Sequence, residues 1–509
     1  MSGLNQTNTT ALILQLQHEL EKKIELVATG TDIAWVNSCG YIIFFMQTGF
    51  CLLEAGSSRH KHHLHTVLLQ VLNAIACVFG WWILGYAFAY GFDHSGFIGA
   101  FNFAGDQLID DPHKMADWMF DMGSAATAAK IVSGAILERI LPYTYLFFGV
   151  FMSAWIYPVG LHWAWHPKGW LKTMGYVDHA GSGVVHMVGG ASALAACLVI
   201  GPRLFRFEKE NESEEEAKRR KFYNHKNFEG NFTPFVALGT LLLWYCWFGF
   251  NAGSSHGAVS NSTQDNSVLV GRAGVNTTIA TCAGGIAVLI IHYIVSKAKG
   301  NHEGRYNTGL VCNGLLGGAV GITAACGTVY PYAAFIIGFM AGCIYYFYQW
   351  AIEKLHIDDP LHAGPIHLGT GSWGVAAVGI FHKDQGFLYG GGGKLFGVQL
   401  LGLVCYFAWS FFQALIFFFL FKQFDMLRME EEEEIKGDII QCGGSKFNYD
   451  EESLKYYAKL FRDSIGQHGF TGSVDTNNNQ NHILITENNL IPITSTDRRE
   501  QEMINVKTE

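Results

Sequence analysis

The sequence predicts an all-α integral membrane protein built from eleven transmembrane helices. Three observations point there. Half of the 509 residues are hydrophobic and only 15% are charged, whereas a soluble protein carries about a quarter charged residues. Eleven segments approach the roughly 20 mainly apolar residues needed to cross a bilayer. And one apolar, Gly-rich pattern occurs twice, at Asp178-His179-Ala180-Gly181-Ser182-Gly183-Val184-Val185-His186 and at Asp359-Pro360-Leu361-His362-Ala363-Gly364-Pro365-Ile366-His367. Each copy has an Asp, a His-Ala-Gly triplet and a His eight residues after the Asp. Ionisable groups inside apolar spans are costly and mark candidate functional sites. A matched pair points to an internal repeat, with the site where the repeats meet near the midplane.

In chain order the spans are expected at 32–54, 66–92, 116–138, 141–165, 179–202, 233–253, 270–296, 306–326, 331–353, 361–382 and 395–422, the third and eighth being weak by hydropathy alone. The 59 glycines suit helices that pack closely in lipid. Before the spans comes an extracellular N-terminal segment over 1–31, polar across Met1–Lys23 with an amphipathic run at Leu12–Ile24 and without the look of a cleaved signal peptide. After them come a better-formed segment over 424–449, able to dock under the membrane domain, and a polar tail over 450–509. That tail, with its cluster Asn477–Asn481, has too little apolar surface to offset the entropy of ordering and is expected to be disordered.

An odd number of spans places the termini on opposite sides. The loop after the fifth span holds Arg203, Arg206, Lys209, Lys218, Arg219, Arg220, Lys221 and Lys226; Arg59 and Lys61 follow the first span, and Lys297, Lys299 and Arg305 the seventh. The intervening loops are poor in basic residues. The positive-inside rule therefore puts the N-terminus outside and the tail in the cytoplasm. Sequons at Asn5, Asn8 and Asn261 would face outward and accept glycans; those at Asn211 and Asn231 would not.

Several function classes are excluded. The formal net charge of -9 argues against nucleic-acid binding. The 11 cysteines form no CxxC pair and no Cys/His zinc spacing, so neither a disulfide framework nor a metal site is expected. Gly390–Gly393 lacks the GK[ST] end of a phosphate loop. No cofactor and no enzymatic activity are indicated.

The motifs Asp178 to His186, Trp247-Phe248-Gly249-Phe250-Asn251-Ala252-Gly253-Ser254, Cys312-Asn313-Gly314-Leu315-Leu316-Gly317-Gly318 and Gly390-Gly391-Gly392-Gly393-Lys394 together resemble the ammonium transporter family, in its eukaryotic form. The resemblance spans about residues 32–449. It implies two inverted five-helix halves around a narrow apolar pore, a homotrimer, a plasma-membrane location and ammonium or ammonia as the partner. It further implies that His186 and His367 are twin pore histidines, that Trp165 and Ser254 recruit substrate, that Phe250 is a gate, and that Asp178 supports the recruitment site. Asp359 occupies the corresponding place in the second half.

The chemistry suits such a role. Aromatic faces attract ammonium by cation–π interaction, whereas a bare or hydrated ion in an apolar pore is very costly. Neutral imidazoles donate, accept and relay protons. Simpler explanations stand beside these roles. Asp178 and Asp359 each precede a helix and could only cap it. Trp165 belongs to a cluster with Trp163 and Trp170 that an interfacial aromatic belt would also produce.

The chain also departs from the family. Where an outer gate phenylalanine is usual it has Ser124, with Phe120 four residues earlier on the same helix face. Asp121 and Lys130 lie in the third span, about 13 Å apart along a helix, so each needs its own partner. The run Arg59-His60-Lys61-His62-His63-Leu64-His65 replaces an Asn-richer segment, and Ile440 stands where plant members carry a regulatory threonine. Other readings remain open: an ammonium sensor signalling through its tail, a gas channel of the Rhesus type, and a haem protein ligated by His186 and His367.

Overall fold

The computed structural model describes residues 2–93, 95–106, 108–208, 212–214, 216–218, 220, 228, 230, 232–259, 266–300, 306–442, 482–486 and 489–493. The sequons at Asn211, Asn231 and Asn261, the basic residues Lys209, Arg219, Lys221, Lys226 and Arg305, and nearly all of the 450–509 tail lie outside them. The chain divides into two compact units, Met1–Ile435 and Lys436–Glu509. The second contains the short helix Asp438–Gln441 and a strand pair, His482–Thr486 against Asn489–Ile493.

All eleven expected spans are helical. They are α1 (Ser2–Ser57), α2 (His60–Tyr90), α3 (Pro112–Ile136), α4 (142–165), α5 (Ser182–Ile200), α6 (Thr233–Gly253), α7 (Asn266–Ala298), α8 (Thr308–Thr323), α9 (Pro331–Lys354), α10 (364–381) and α11 (Lys394–Gln423). Proline in the first turn starts α3, α4, α6 and α9, where its fixed φ helps and its missing N–H is not needed. The Asp111 carboxylate caps α3 by accepting from the N–H groups of His113 and Lys114, and the Asn307 side chain caps α8 by accepting from Leu310.

The first helix passes the expected boundary at residue 31 without a break. At 56 residues it is about 84 Å long, far more than the ~30 Å hydrocarbon core. Leu12, Leu16, Leu20 and Ile24 on its early turns are exposed.

The halves share a pattern of helix pairing. The pairs α1–α3, α2–α4 and α3–α5 of the first half are matched by α6–α8, α7–α9 and α8–α10 of the second. The halves meet where α1 packs along α6 and where α5 crosses the start of α10, and α11 lies across both α5 and α10. Close crossings depend on missing side chains. A Cβ on Gly338 would lie 2.1 Å from the Ala280 carbonyl oxygen between α9 and α7, and one on Gly190 would lie 2.3 Å from the Leu368 nitrogen between α5 and α10. On the outside, α11 exposes Val404, Phe412, Ile416 and Phe419, and α7 exposes Val275, Ile290 and Ile294, as a lipid-facing surface should.

The charges of the third span find their partners across helices. The Tyr90 hydroxyl donates to Asp121 Oδ2 at 2.7 Å. Lys130 Nζ donates to the Gln70 carbonyl at 3.2 Å, while the Gln70 amide and the Ser133 hydroxyl each donate to the buried Glu54 carboxylate at 2.7 Å. Glu54, at the end of the first span, thus balances the Lys130 side.

On the face where α3 ends, the chain just after α11 packs against the membrane unit. Leu141 N–H donates to Leu427 O, and Met429 N–H to Arg139 O. A short helix, α12 (Glu431–Lys436), follows. The Glu434 carboxylate accepts from Leu204 N–H at 2.6 Å and from Arg428 at 2.7 Å, and Lys61 Nζ donates to the carbonyls of Glu434 and Ile435 at 2.8 and 2.7 Å. Beneath lies a buried ionic cluster in which Arg203 bridges Asp358 and Glu138, and Arg59 also binds Glu138.

Candidate substrate pore

The two Asp-to-His motifs fold alike. Asp178 and Asp359 stand before short π-helical openings, Ser182–Met187 of α5 and Gly364–Gly369 of α10, and His186 and His367 lie within them. Such wide turns are rare and gather at functional sites. Asp178 Oδ1 accepts from Gly181 and Ser182, and Oδ2 from Gly183 and Val184, at 2.8–3.1 Å. Asp359 accepts from Ala363 and Gly364; six residues after it stands Pro365, which has no N–H to give.

Three residues after each Asp the backbone turns left-handed, at Gly181 (φ 99°) and at His362 (φ 59°). Glycine suits that conformation; His362 is held in it while its Nδ1 meets the Tyr345 hydroxyl at 2.9 Å. The repeated His-Ala-Gly triplets are therefore not structurally equivalent. What repeats is the Asp, the turn and the His.

The crossing of α5 and α10 brings the histidines together. Their Nδ1 atoms are 3.2 Å apart and their rings lie 5.3 Å apart at 23°. One ring must donate and the other accept. His186 also stacks on Trp247 at 5.2 Å and 20°, and Phe250 lies 5.7 Å away. Trp247 Nε1–H donates to Thr323 Oγ1 at 2.9 Å. The His186 Nε2 atom is buried without a hydrogen-bond partner among the described residues, a state that a passing polar ligand would relieve.

Above Phe250, on the face opposite the docked tail, a cavity of about 260 Å³ is lined by Trp165, Asp178, His179, Ser254 and Thr328 among others. Trp165 Nε1–H donates to the Asp178 main-chain oxygen at 2.8 Å, and Ser254 Oγ–H donates to Phe250 O at 2.8 Å. Phe120 is buried beside it, its ring 5.3 Å from His256, and a Cβ on Gly253 would lie 2.7 Å from Phe120 Cε2. Ser124, one turn along, is buried and its hydroxyl donates to Phe120 O at 3.3 Å. Phe250 and both pore histidines lie outside the cavity wall.

Trp165 and Ser254 share the cavity wall, Ser254 is bonded to Phe250, Phe250 lies beside His186 and His186 meets His367, while Phe120 touches His256 of the wall. Asp178 and Asp359 have their carboxylates committed to backbone N–H groups. Sequence reasoning missed Lys172 and His256, both lining the cavity. His256 Nδ1 meets Asp117 Oδ1 at 3.1 Å. Although desolvation pushes the other way, that contact holds the imidazole above its ordinary pKa. No motif announces either residue. Trp247 could have been found, since it precedes Phe250 by three residues and so shares its helix face.

Eleven spans, two matched halves and a buried imidazole pair near a small cavity define a polytopic membrane protein. The comparisons name its family. The sequence profile of the Ammonium Transporter Family matches residues 34–447. Ammonium transporter 3 of Dictyostelium discoideum is 35% identical over 433 residues, covering 82% of this chain and 94% of its own. Ammonium transporter 1 member 1 of Arabidopsis thaliana is 36% identical, covering 79% and 83%. Among solved structures, one described as a sensor Amt protein matches with TM-score 0.73 at 31% identity, over 82% of this chain and 99% of its own. Mep2 of Candida albicans matches with TM-score 0.67 at 26%, over 79% and 87%. The chain belongs to the ammonium transporter family.

Proposed function

We propose that this protein moves ammonium across the membrane by recruiting the cation at Trp165 and Ser254, passing it between Phe120 and Phe250, and separating its proton at His186 and His367. The observation that carries this reading is the imidazole pair, 3.2 Å apart and buried directly beneath Phe250. A cation–π face at the cavity offsets part of the dehydration of the cation. Below it the substrate meets the imidazoles, so ammonia passes while the proton stays behind or travels along the shared hydrogen bond. The buried carboxylates of Asp178 and Asp359 fix the two π-helical turns and so aim the imidazoles. The substrate is moved rather than transformed.

The same reading makes the assembly a homotrimer in the plasma membrane, with the N-terminus outside and the tail in the cytoplasm, where the basic residues around Arg203 and Lys297 gather.

Two-electrode voltage clamp in oocytes with ammonium and then methylammonium outside, paired with labelled methylammonium uptake and a surface-expression check, tests this. The wild-type chain is expected to give saturable uptake, with a current if the proton follows. The double variant His186→Ala, His367→Ala is expected to lose it; full retention would remove the pair from the mechanism. Neither current nor uptake in well-expressed wild type would turn the reading to a sensor.

A further inference from the structure

A second cluster lies at the mouth of α4, unused by the transport reading. The antiparallel ribbon Phe92–Asp93 against Gly99–Ala100 holds Asp93 against the last turn of α4, which carries His162, with His166 just beyond it. One ligand-type atom from each of Asp93, His162 and His166 lies within 4.8 Å of the others.

The proton positions are constrained. His162 is fully buried and its Nδ1 lies 2.7 Å from the Ala89 carbonyl oxygen, where it can only donate. A neutral ring then presents a bare Nε2 lone pair, and that atom faces Asp93 Oδ1 at 3.1 Å. Two acceptors so placed require a cation between or beside them, either a second proton or a metal ion. A histidine oriented by a backbone carbonyl through one nitrogen, with the other turned to a carboxylate, is the usual posture of a metal ligand. His166 follows His162 by four residues, and the two rings stack at 4.2 Å and 11°, so both present to the same side. His166 is only half-buried, which gives a metal access from water. Its Nδ1 accepts the Lys168 N–H at 3.2 Å, a long bond that a metal could displace. Asp93 Oδ1 is braced by the N–H groups of Ser95 and Gly96 at 3.2 and 2.6 Å. The ammonium of neighbouring Lys168 sits over the Phe92 ring at 5.5 Å.

We infer that Asp93, His162 and His166 form a binding site for a divalent transition-metal ion of the zinc or copper class, on the face where the Trp165 cavity opens. Two imidazoles and one carboxylate suit these ions and leave a position for water. The histidines bracket Trp165 within one turn, so occupancy would pin the segment that carries it. The expectation of no metal site rested on cysteine spacing. This cluster contains no cysteine and joins positions 69 apart in sequence.

Isothermal titration of the chelator-treated, full-length protein in detergent with Zn²⁺, and with Mg²⁺ as control, tests the assignment without reference to transport. One Zn²⁺ per chain is expected, with no Mg²⁺ heat. His166→Ala and Asp93→Asn should each weaken Zn²⁺ by at least about tenfold, and the visible absorption of bound Co²⁺ should be lost in His166→Ala. Because His166 is the partly exposed ligand, its removal should leave the melting temperature of the metal-free protein unchanged. Absence of Zn²⁺ binding in the wild type, or equal affinity in a folded His166→Ala, would overturn the site and make Asp93 and His162 a charged hydrogen-bonded pair.

Discussion

Asp358 shows how a single carboxylate can hold one face of this molecule. It accepts from the Arg203 backbone N–H, Nε and Nη2 at 2.8–3.0 Å, and its own carbonyl accepts from Arg139 at 2.7 Å. Burial alone would raise its pKa, but the guanidiniums of Arg203 and Arg139 hold it well below the usual carboxylate range. A depressed carboxylate contributes stability that is present above its ordinary value and is lost only as pH falls through the depressed one. Asp358→Asn should therefore destabilise the detergent-solubilised protein by about 3–5 kcal/mol, because Arg203 stays buried with half its charge unanswered. In thermal melts, the gap between variant and wild type should stay constant from about pH 8 to 5 and close only in stronger acid. A gap that closes near pH 6 would mean that Asp358 is not held in its charged form.

Among the elements, the crossing of α5 and α10 decides the site, and Gly190 decides the crossing. Any Cβ there meets the Leu368 backbone at 2.3 Å, and backbone cannot rotate aside as a side chain can. Gly190→Ala is expected to reach the surface but to lose most methylammonium uptake, with a stability loss of about 1–3 kcal/mol from overpacking. Normal uptake would show that the His186–His367 spacing tolerates displacement.

The same crossing shows what the sequence could and could not tell. The eleven spans were legible because hydropathy is summed over some 20 residues, and even the weak third and eighth have helical ends marked by Asp111 and Asn307. The Asp-to-His spacing was legible because it repeats. The His-Ala-Gly echo misled, since letters matched where backbone geometry did not. Glu54, Gln70 and Tyr90, the partners of the charges in α3, were out of reach. So was the meeting of Asp93 with His162. Each joins elements whose neighbours only the fold decides.

At the scale of the whole molecule, both faces of the membrane unit are closed by residues from distant parts of the chain. The Trp165 cavity draws on α4, the loop before α5, the end of α6 and the loop after α8. The opposite face is sealed by residues 426–435, which engage Lys61, Arg139, Leu204 and Thr144. Sealing has a chronology. Lys61, Arg59 and Glu138 leave the ribosome long before Glu434, at about 5–20 residues per second. For that interval the ammonium of Lys61 lacks the two carbonyls that will cover it, and the first half of the membrane unit waits with its ionic cluster open. A chain stopped at residue 425 would never leave that condition. It is expected to insert its spans yet be degraded several-fold faster than the full chain in a pulse-chase measurement, whereas one stopped at 442 should survive. Equal lifetimes would mean that the docked segment 426–435 is ornament. Otherwise residues 426–435 act as a certificate that the membrane unit is complete, read by the cell's quality control before any ammonium is met.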